Sequence, residues 1–291
     1  MTNFVLIGAA GYVAPKHIKA IKDNGGNLIA AHDVHDSVGI LDSYFRDCYF
    51  TPSKPAFETW VYDHKDEIDY FVVCTPNYMH YRHCLMGLLK AEANVICEKP
   101  VVLNLHDIEL LQDTCNRTGR TISPILQLRY GLVPQPFEPG KKPALYVRYY
   151  TPRGQWYHES WKGNRMKSGG LMTNIGIHLF DWLFLYYGKV QSCEFELYTN
   201  ETCSGWLNLE KADVEFHISI CKYMQPSRRI RIYPEGRFGD EFEDYSLAGN
   251  FNDLHSHSYA KILEGNGFTL EDCIPSIEFV EKFREFERTI R

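Results

Sequence analysis

The chain has 291 residues, 44% hydrophobic and 23% charged, with a formal net charge of −6, the composition of a globular protein larger than one average domain. The mild acidity argues against a dedicated nucleic-acid binder, which would carry a basic excess, but leaves room for a locally basic pocket that takes an anionic substrate. No apolar run approaches the roughly 20 residues that cross a bilayer, and the first residues lack the basic, apolar and cleavable parts of a leader, so a cytoplasmic protein without membrane or nucleic-acid partners is expected.

Nine cysteines occur without a C-x-x-C pair, so reduced and mostly buried thiols are expected, not a zinc site or a disulfide framework. The first third alternates strand and helix patterns. Residues 4–7, 27–32, 70–74, 94–97 and 121–126 read as strands, and residues 16–22, 80–90 and 105–118 as helices, the last closed by Gly119. Such alternation predicts a parallel sheet covered on both faces. After about Leu132 the pattern changes. Residues 133–143 are rich in Pro and Gly and read as a connection. Residues 144–151, 192–198, 205–209, 213–220 and 228–233 read as strands of a half-covered, mostly antiparallel sheet. Helices are expected at about 174–187 and 274–291, the latter with Ile277, Val280 and Phe283 at helical spacing. The expected fold is α/β: a Rossmann parallel-sheet domain over residues 1–122, then an α+β substrate and oligomerisation domain with an open sheet over residues 123–291.

Gly8-Ala9-Ala10-Gly11-Tyr12-Val13-Ala14 follows the first strand and opens the first helix. Gly8 serves the tight turn, Gly11 lets the backbone approach a pyrophosphate, and Ala14 allows close helix–strand packing. Gly8, Ala10, Gly11, Tyr12 and Val13 are therefore cofactor-site candidates. Asp33 ends the second strand, where an acid holds the adenosine ribose hydroxyls and repels a 2′-phosphate, so NAD is expected over NADP. Thr75, Pro76 and Asn77 end another parallel strand, where a cofactor lies in this fold. Glu98-Lys99-Pro100 ends the next, with Lys99 aimed toward the ligand crevice.

Taken together, the glycine turn, Asp33 and the Glu98-Lys99-Pro100 triplet resemble the glucose–fructose oxidoreductase/inositol dehydrogenase (Gfo/Idh/MocA) family over essentially the whole chain. Thr75-Pro76-Asn77 with His80 resembles its cofactor-side motif, which adds His80 and Glu98 to the cofactor candidates. The run from Gly169 to Asp181 resembles its glycine-rich turn into the substrate-domain helix. The resemblance implies a catalytic Lys99 and His178. Family members generally have an acid where this chain has Asn174. An amide cannot accept a proton, so the base assignment falls on His178, with Lys99 polarising the same oxygen and Asn174 orienting a hydroxyl or the histidine. Asp181 is read as either structural or functional. After Gln127-Leu128-Arg129-Tyr130, relatives continue into a helix, whereas residues 131–143 are short and Pro-rich here.

The segments Arg153–Tyr157, Ser160–Gly163, Lys167–Gly170 and Asp253–Phe268 resemble a subgroup that oxidises UDP-linked N-acetylamino sugars, chiefly UDP-N-acetylglucosaminuronate 3-dehydrogenases of surface-polysaccharide biosynthesis. A sister group acts on UDP-N-acetylglucosamine. On that resemblance Arg153, Lys162 and Arg165 are expected to pair with diphosphate or carboxylate. Trp156, Tyr157 and Trp161 are expected to stack on uracil or sugar, and His255 to contact substrate. Some relatives recycle NADH with 2-oxoglutarate. Two alternatives stay open, an NAD-using glycoside hydrolase and a non-catalytic NAD sensor. The pairs His80/His83 and His255/His257 lack a completing acid or cysteine in sequence, so no metal is expected. Arg229 and Arg231 share a strand face that is solvated or interfacial. An open sheet face favours a homodimer or homotetramer.

Overall fold

The computed structural model describes residues 1–134, 140–234, 236, 238–247 and 254–290, with 285–290 described by backbone alone. The chain forms two compact units, Met1–Gln127 with Asn252–Ile274, and Leu128–Phe251 with Pro275–Arg291. The segment Asn252–Ile274, read from sequence as part of the second domain, instead gathers with the first unit.

The first unit contains β1 (Asn3–Ile7), α1 (Ala14–Asp23), β2 (Asn27–His32), α2 (Leu41–Tyr44), β3 (Tyr49–Thr51), α3 (Lys54–Asp63), β4 (Tyr70–Val73), α4 (His80–Leu89), β5 (Asn94–Cys97), α5 (Leu105–Thr118) and β6 (Ile122–Pro124). The sheet order is β3-β2-β1-β4-β5-β6 with every pair parallel. Strand order reverses between β1 and β4, the point at which ligands bind in doubly wound sheets. Helices on both faces explain why these strands read as continuous apolar runs: Phe4, Val5, Leu6, Phe71, Val72, Val73, Val95 and Ile96 are all fully buried. The ends of α5 are written in its sequence. Asn104 accepts from the Asp107 N–H at 2.9 Å and Gly119 follows with φ of 68°, an N-cap and a left-handed C-cap. The elements α2, β3 and α3 lie in a stretch to which the sequence pattern assigns no element. Its apolar residues show no sustained period, and α3 announces itself only by Ser53, which accepts from Ala56 N–H, and by Pro55 in its first turn.

The second unit contains β7 (Ala144–Tyr150), α6 (Gln155–Glu159), α7 (Arg165–Ser168), α8 (Ile177–Tyr187), β8 (Val190–Tyr198), β9 (Thr202–Leu209), β10 (Asp213–Ser219), β11 (Ser227–Tyr233) and β12 (Glu243–Ser246). The sheet order is β12-β11-β7-β10-β9-β8, antiparallel apart from the β7–β10 pair. One face carries Leu145, Val147, Val214, Phe216, Ile230 and Ile232, all buried. It packs on helix α8 through Phe180, whose ring meets Phe216 at 5.6 Å. Arg229 and Arg231 share the opposite face, each paired with Asp244 across β12.

Helices α9 (Leu254–Leu263) and α10 (Leu270–Ile290) complete the chain. Tyr259 and Ile262 of α9 share a buried cluster with Ile18 and Ile21 of α1, which is why this late segment belongs with the first unit. All nine cysteines are free thiols and only Cys193 is exposed. Among the described residues, no helix is long and apolar enough to cross a membrane.

Candidate active site

The nucleotide turn has the geometry its glycines require. Gly8 adopts φ of 93°, and a Cβ there would lie 2.7 Å from the Cys74 carbonyl carbon. No other residue type meets both conditions without strain. The turn is fixed by Gly8 and Ala9 N–H groups that both donate to the His32 carbonyl, which places it against the end of β2. There Asp33 uses one carboxylate oxygen to accept from Ala10 N–H at 3.0 Å and the other to accept from His35 N–H at 2.9 Å. Each oxygen keeps a lone pair for a ribose hydroxyl. Gly11 is also closely confined, since a Cβ there would lie 3.0 Å from the Gly8 carbonyl oxygen, and Tyr12 is largely exposed. Val13 precedes the first turn of α1, where Ala14 is fully buried. These residues fit a dinucleotide: a close backbone approach, a helix N-terminus and an acid for the ribose.

The β4 and β5 ends are joined by histidines. His80 Nδ1 lies 2.7 Å from the Pro100 carbonyl, and Nε2 lies 2.7 Å from the Thr75 carbonyl. Both partners only accept, so the ring serves both fully only when both nitrogens carry protons. Burial opposes that charge and holds the His80 pKa below its usual value. Thr75 Oγ1 meets His83 Nδ1 at 2.8 Å, and burial lowers His83 to about 4. Pro76 is half-buried and Asn77 is buried. The Lys99–Pro100 peptide is cis, and the Lys99 side chain is half-buried.

Glu98 and His255 are placed differently from the sequence expectation. Glu98 is 5% exposed and His255 1% exposed, and the two are bonded to each other, Oε1 to Nε2 at 3.0 Å. His17 Nε2 meets the same oxygen at 2.9 Å. His255 therefore spends its Nε2 on a buried carboxylate of the first unit. The acid that the sequence lacks near His255 is supplied by Glu98, far away along the chain. Asp253, in the same subgroup-like segment, lies outside the described residues, as do residues 135–139 of the Pro-rich connection.

In the second unit the helix expected from Asn174 begins as a wide π turn over Met172–Gly176 and becomes regular α8 from Ile177. Such turns frequently mark functional sites. Arg284 of α10 anchors the turn by donating to Thr173 Oγ1 at 2.7 Å. Asn174 is buried and donates its amide N–H to the Tyr157 hydroxyl at 2.7 Å. Tyr157 is 3% exposed, so it props Asn174 and does not offer a stacking face. His178 is half-buried on the next turn.

Trp156 is half-exposed, and Lys162 places its ammonium 5.7 Å from the Trp156 ring and 4.4 Å from the Trp161 ring. Burial, and then the nearby Arg153 charge, lowers the Lys162 pKa. Arg153, Lys162 and two indoles thus form an electropositive, aromatic patch suited to a phosphate or carboxylate next to a flat ring. Gly163 makes its tight loop possible, since a Cβ there would lie 2.3 Å from the His158 carbonyl oxygen. Arg165 turns elsewhere, donating to the Tyr198 hydroxyl at 2.9 Å with its guanidinium over that ring.

Asp181 has a structural place. It accepts from Arg129 Nε at 2.9 Å and Nη2 at 2.8 Å, a buried two-pronged ion pair. Sequence reasoning missed this partner, because the two residues are far apart in sequence and no local pattern joins them.

A sheet of this strand order, with a glycine turn at its switch point and an acid closing β2, is that of a dinucleotide-binding domain. Residues 2–125 match the oxidoreductase family with an NAD-binding Rossmann fold, and residues 145–220 match its C-terminal α/β domain. The chain belongs to the Gfo/Idh/MocA oxidoreductase family, and its first unit is an NAD-binding domain. It is similar to the WlbA (WbpB) dehydrogenase from Thermus thermophilus, solved in complex with NAD and UDP-GlcNAcA: 36% identity, 98% of this chain and 95% of that chain covered, TM-score 0.87. A WlbA dehydrogenase from Bordetella pertussis shares the fold at 20% identity, with 95% and 93% coverage and a TM-score of 0.75. The glucose-6-phosphate 3-dehydrogenase of Bacillus subtilis is 24% identical over 64% of this chain. The matches to that protein and to D-glucoside 3-dehydrogenase of Escherichia coli span about a half and a third of those relatives' lengths.

Proposed function

We propose that this protein oxidises the 3-hydroxyl of a UDP-linked N-acetylamino sugar, preferably UDP-N-acetylglucosaminuronate, to the 3-keto sugar in surface-polysaccharide biosynthesis. The observation that carries the reading is the 36% identity, over 98% of this chain, to the T. thermophilus dehydrogenase solved with NAD and UDP-GlcNAcA. The patch of Arg153, Lys162, Trp156 and Trp161 supports it, offering cationic and aromatic partners for a nucleotide sugar.

Bound NAD supplies the hydride acceptor. Of the protein's own groups, His178 takes the hydroxyl proton, since a neutral imidazole is a competent base near pH 7. The Lys99 ammonium stabilises the alkoxide as it develops. Asn174 donates to Tyr157 and cannot serve as a base, so it orients substrate or His178. Asp33 holds the adenosine ribose and selects NAD over its 2′-phosphate. A second T. thermophilus structure, at the same identity, contains alpha-ketoglutarate with NAD, which supports 2-oxoglutarate as the oxidant that regenerates NAD. The open second sheet, with β12 and β8 at its edges, supports a homodimer or homotetramer, and the protein is read as cytoplasmic.

The test is absorbance of NADH on mixing the protein and NAD with UDP-N-acetylglucosaminuronate, or with UDP-N-acetylglucosamine, with and without 2-oxoglutarate. A rise with the uronate that Lys99→Ala and His178→Ala abolish, and that 2-oxoglutarate reverses, is expected. No reduced cofactor with either sugar, and no keto product in a single turnover, overturns the reading.

A further inference from the structure

The residue before Lys99 is a fully enclosed acid. Glu98 Oε1 meets His17 Nε2 at 2.9 Å and His255 Nε2 at 3.0 Å, while Oε2 accepts from the Lys99 backbone N–H at 3.2 Å. His17 Nδ1 lies 2.8 Å from the Tyr259 hydroxyl. His17 and Tyr259 are 0% exposed. Three elements converge here: the end of β5, helix α1 behind the glycine turn, and α9, whose His255 and Tyr259 share one face four residues apart.

The proton positions follow from counting donors and acceptors. An ionised carboxylate only accepts, so both Nε2 atoms carry the N–H. The lone pair of His17 Nδ1 then accepts from Tyr259 O–H. Two neutral imidazoles and one carboxylate satisfy every contact, leaving only the lone pair of His255 Nδ1 without a partner. The three ligand-type atoms lie within 4.8 Å of one another, as in a metal site. An ion on both Nε2 atoms would, however, force a proton onto His255 Nδ1, where no acceptor waits, and buried unpaired N–H groups are rarer than buried unpaired lone pairs. The geometry is that of a closed hydrogen-bond set.

We propose that His17, His255 and Tyr259 are positioning residues for Lys99, holding Glu98 ionised and in one orientation so that it fixes the Lys99 backbone and sets a buried negative charge beside it. The inference rests on the reading of Lys99 as the group that stabilises the developing alkoxide. Burial alone would raise the Glu98 pKa; the N–H groups of His17 and His255 reverse that and carry it well below the ordinary range. The other titratable groups near Glu98 are Cys74 of the β4 end, Cys97 on its own strand, His80 of α4 and Lys99. Both thiols stay neutral, since burial raises them well above their usual value, as it does Tyr259. With one N–H donor removed, Glu98 becomes the group that titrates.

The experiment compares His255→Leu, His255→Gln and Tyr259→Phe with the unaltered protein in two arms. The first needs no substrate: infrared difference spectra follow the carbonyl stretch of a protonated carboxylic acid, assigned to Glu98 by its loss in Glu98→Gln. The unaltered protein is expected to show no such band down to pH 6, whereas His255→Leu gains it between about pH 6 and 8. His255→Gln, which keeps an N–H donor, is expected to lack it. The second arm reads NADH formation from UDP-N-acetylglucosaminuronate. His255→Leu is expected to lower kcat about 10-fold with KM for the sugar little changed, and to add an acid limb to the pH profile that His255→Gln removes. Tyr259→Phe, which frees the His17 tautomer but keeps the ring, shows a smaller loss of the same kind.

A Glu98 acid band in the unaltered protein at neutral pH overturns the proposal. So does a His255→Leu loss that follows melting temperature alone and leaves the pH profile unchanged, or activity that falls on dialysis against a chelator. If no nucleotide sugar yields NADH, the substrate reading fails, and the infrared arm alone decides whether the histidines hold Glu98 ionised.

Discussion

Asn174 donates its side-chain N–H to the Tyr157 hydroxyl at 2.7 Å, and both residues are buried. The tyrosine ring thus fixes which way the amide faces on the π turn that precedes His178. Tyr157→Phe keeps the ring and removes the acceptor, leaving that N–H without this partner. The expected result is a loss of about 1–3 kcal/mol in stability, read by urea denaturation, together with a fall in kcat.

Asp181 holds Arg129 through two short contacts in a buried setting. Asp181→Ala removes both of these contacts from a buried guanidinium and is expected to cost about 3–5 kcal/mol. Arg129→Met with Asp181→Leu removes both charges and is expected to lie closer to the unaltered protein than either single change. Denaturant midpoints of the unaltered protein, the single variants and the double variant check this.

Acid weakens the first unit through its buried histidines. Burial lowers His83 to about 4 and also lowers His17 and His80. The folded His83 stays neutral while the unfolded residue takes a proton below about pH 6.5. Its contribution is therefore fully present above that pH and is lost as pH falls toward 4, by at most about 3 kcal/mol. Denaturation midpoints that drop between pH 7 and 5, with a shallower drop in His83→Gln, are the expected outcome.

Two changes separate cofactor from substrate binding. Asp33→Ser removes the carboxylate at the end of β2 and is expected to raise KM for NAD roughly 10-fold while narrowing the preference over NADP. Lys162→Met is expected to raise KM for the nucleotide sugar by a similar factor with kcat little changed. Initial rates with each cofactor and with varied sugar distinguish them.

Much of the first unit was legible because its backbone rules are local. Asn104 and Gly119 bracket α5, and Gly8 and Asp33 occupy the ends of β1 and β2. The stretch between Asp33 and Tyr70 was not, since its short elements carry no sustained period. The cluster of His17, Glu98, His255 and Tyr259 was invisible for a different reason. Its members are separated by up to 242 residues, and hydrogen bonds across such distances leave no spacing to read. Arg129 with Asp181 repeats that lesson. Tyr157 was identified as functional by its neighbours, but its burial, which turns a stacking residue into a prop, depends on packing that no single segment encodes. The wide turn at Met172–Gly176 likewise looks like ordinary helix in sequence, because it differs by one residue per turn.

The most direct test of the central claim follows the hydrogen. UDP-N-acetylglucosaminuronate carrying deuterium at carbon 3 is mixed with the protein and NAD, and both products are weighed by mass spectrometry. The account predicts deuterium on the reduced nicotinamide, a 3-keto sugar that has lost it, and slower single-turnover reduction than with the unlabelled sugar. Reduced cofactor without the label, or label retained in the sugar, contradicts it.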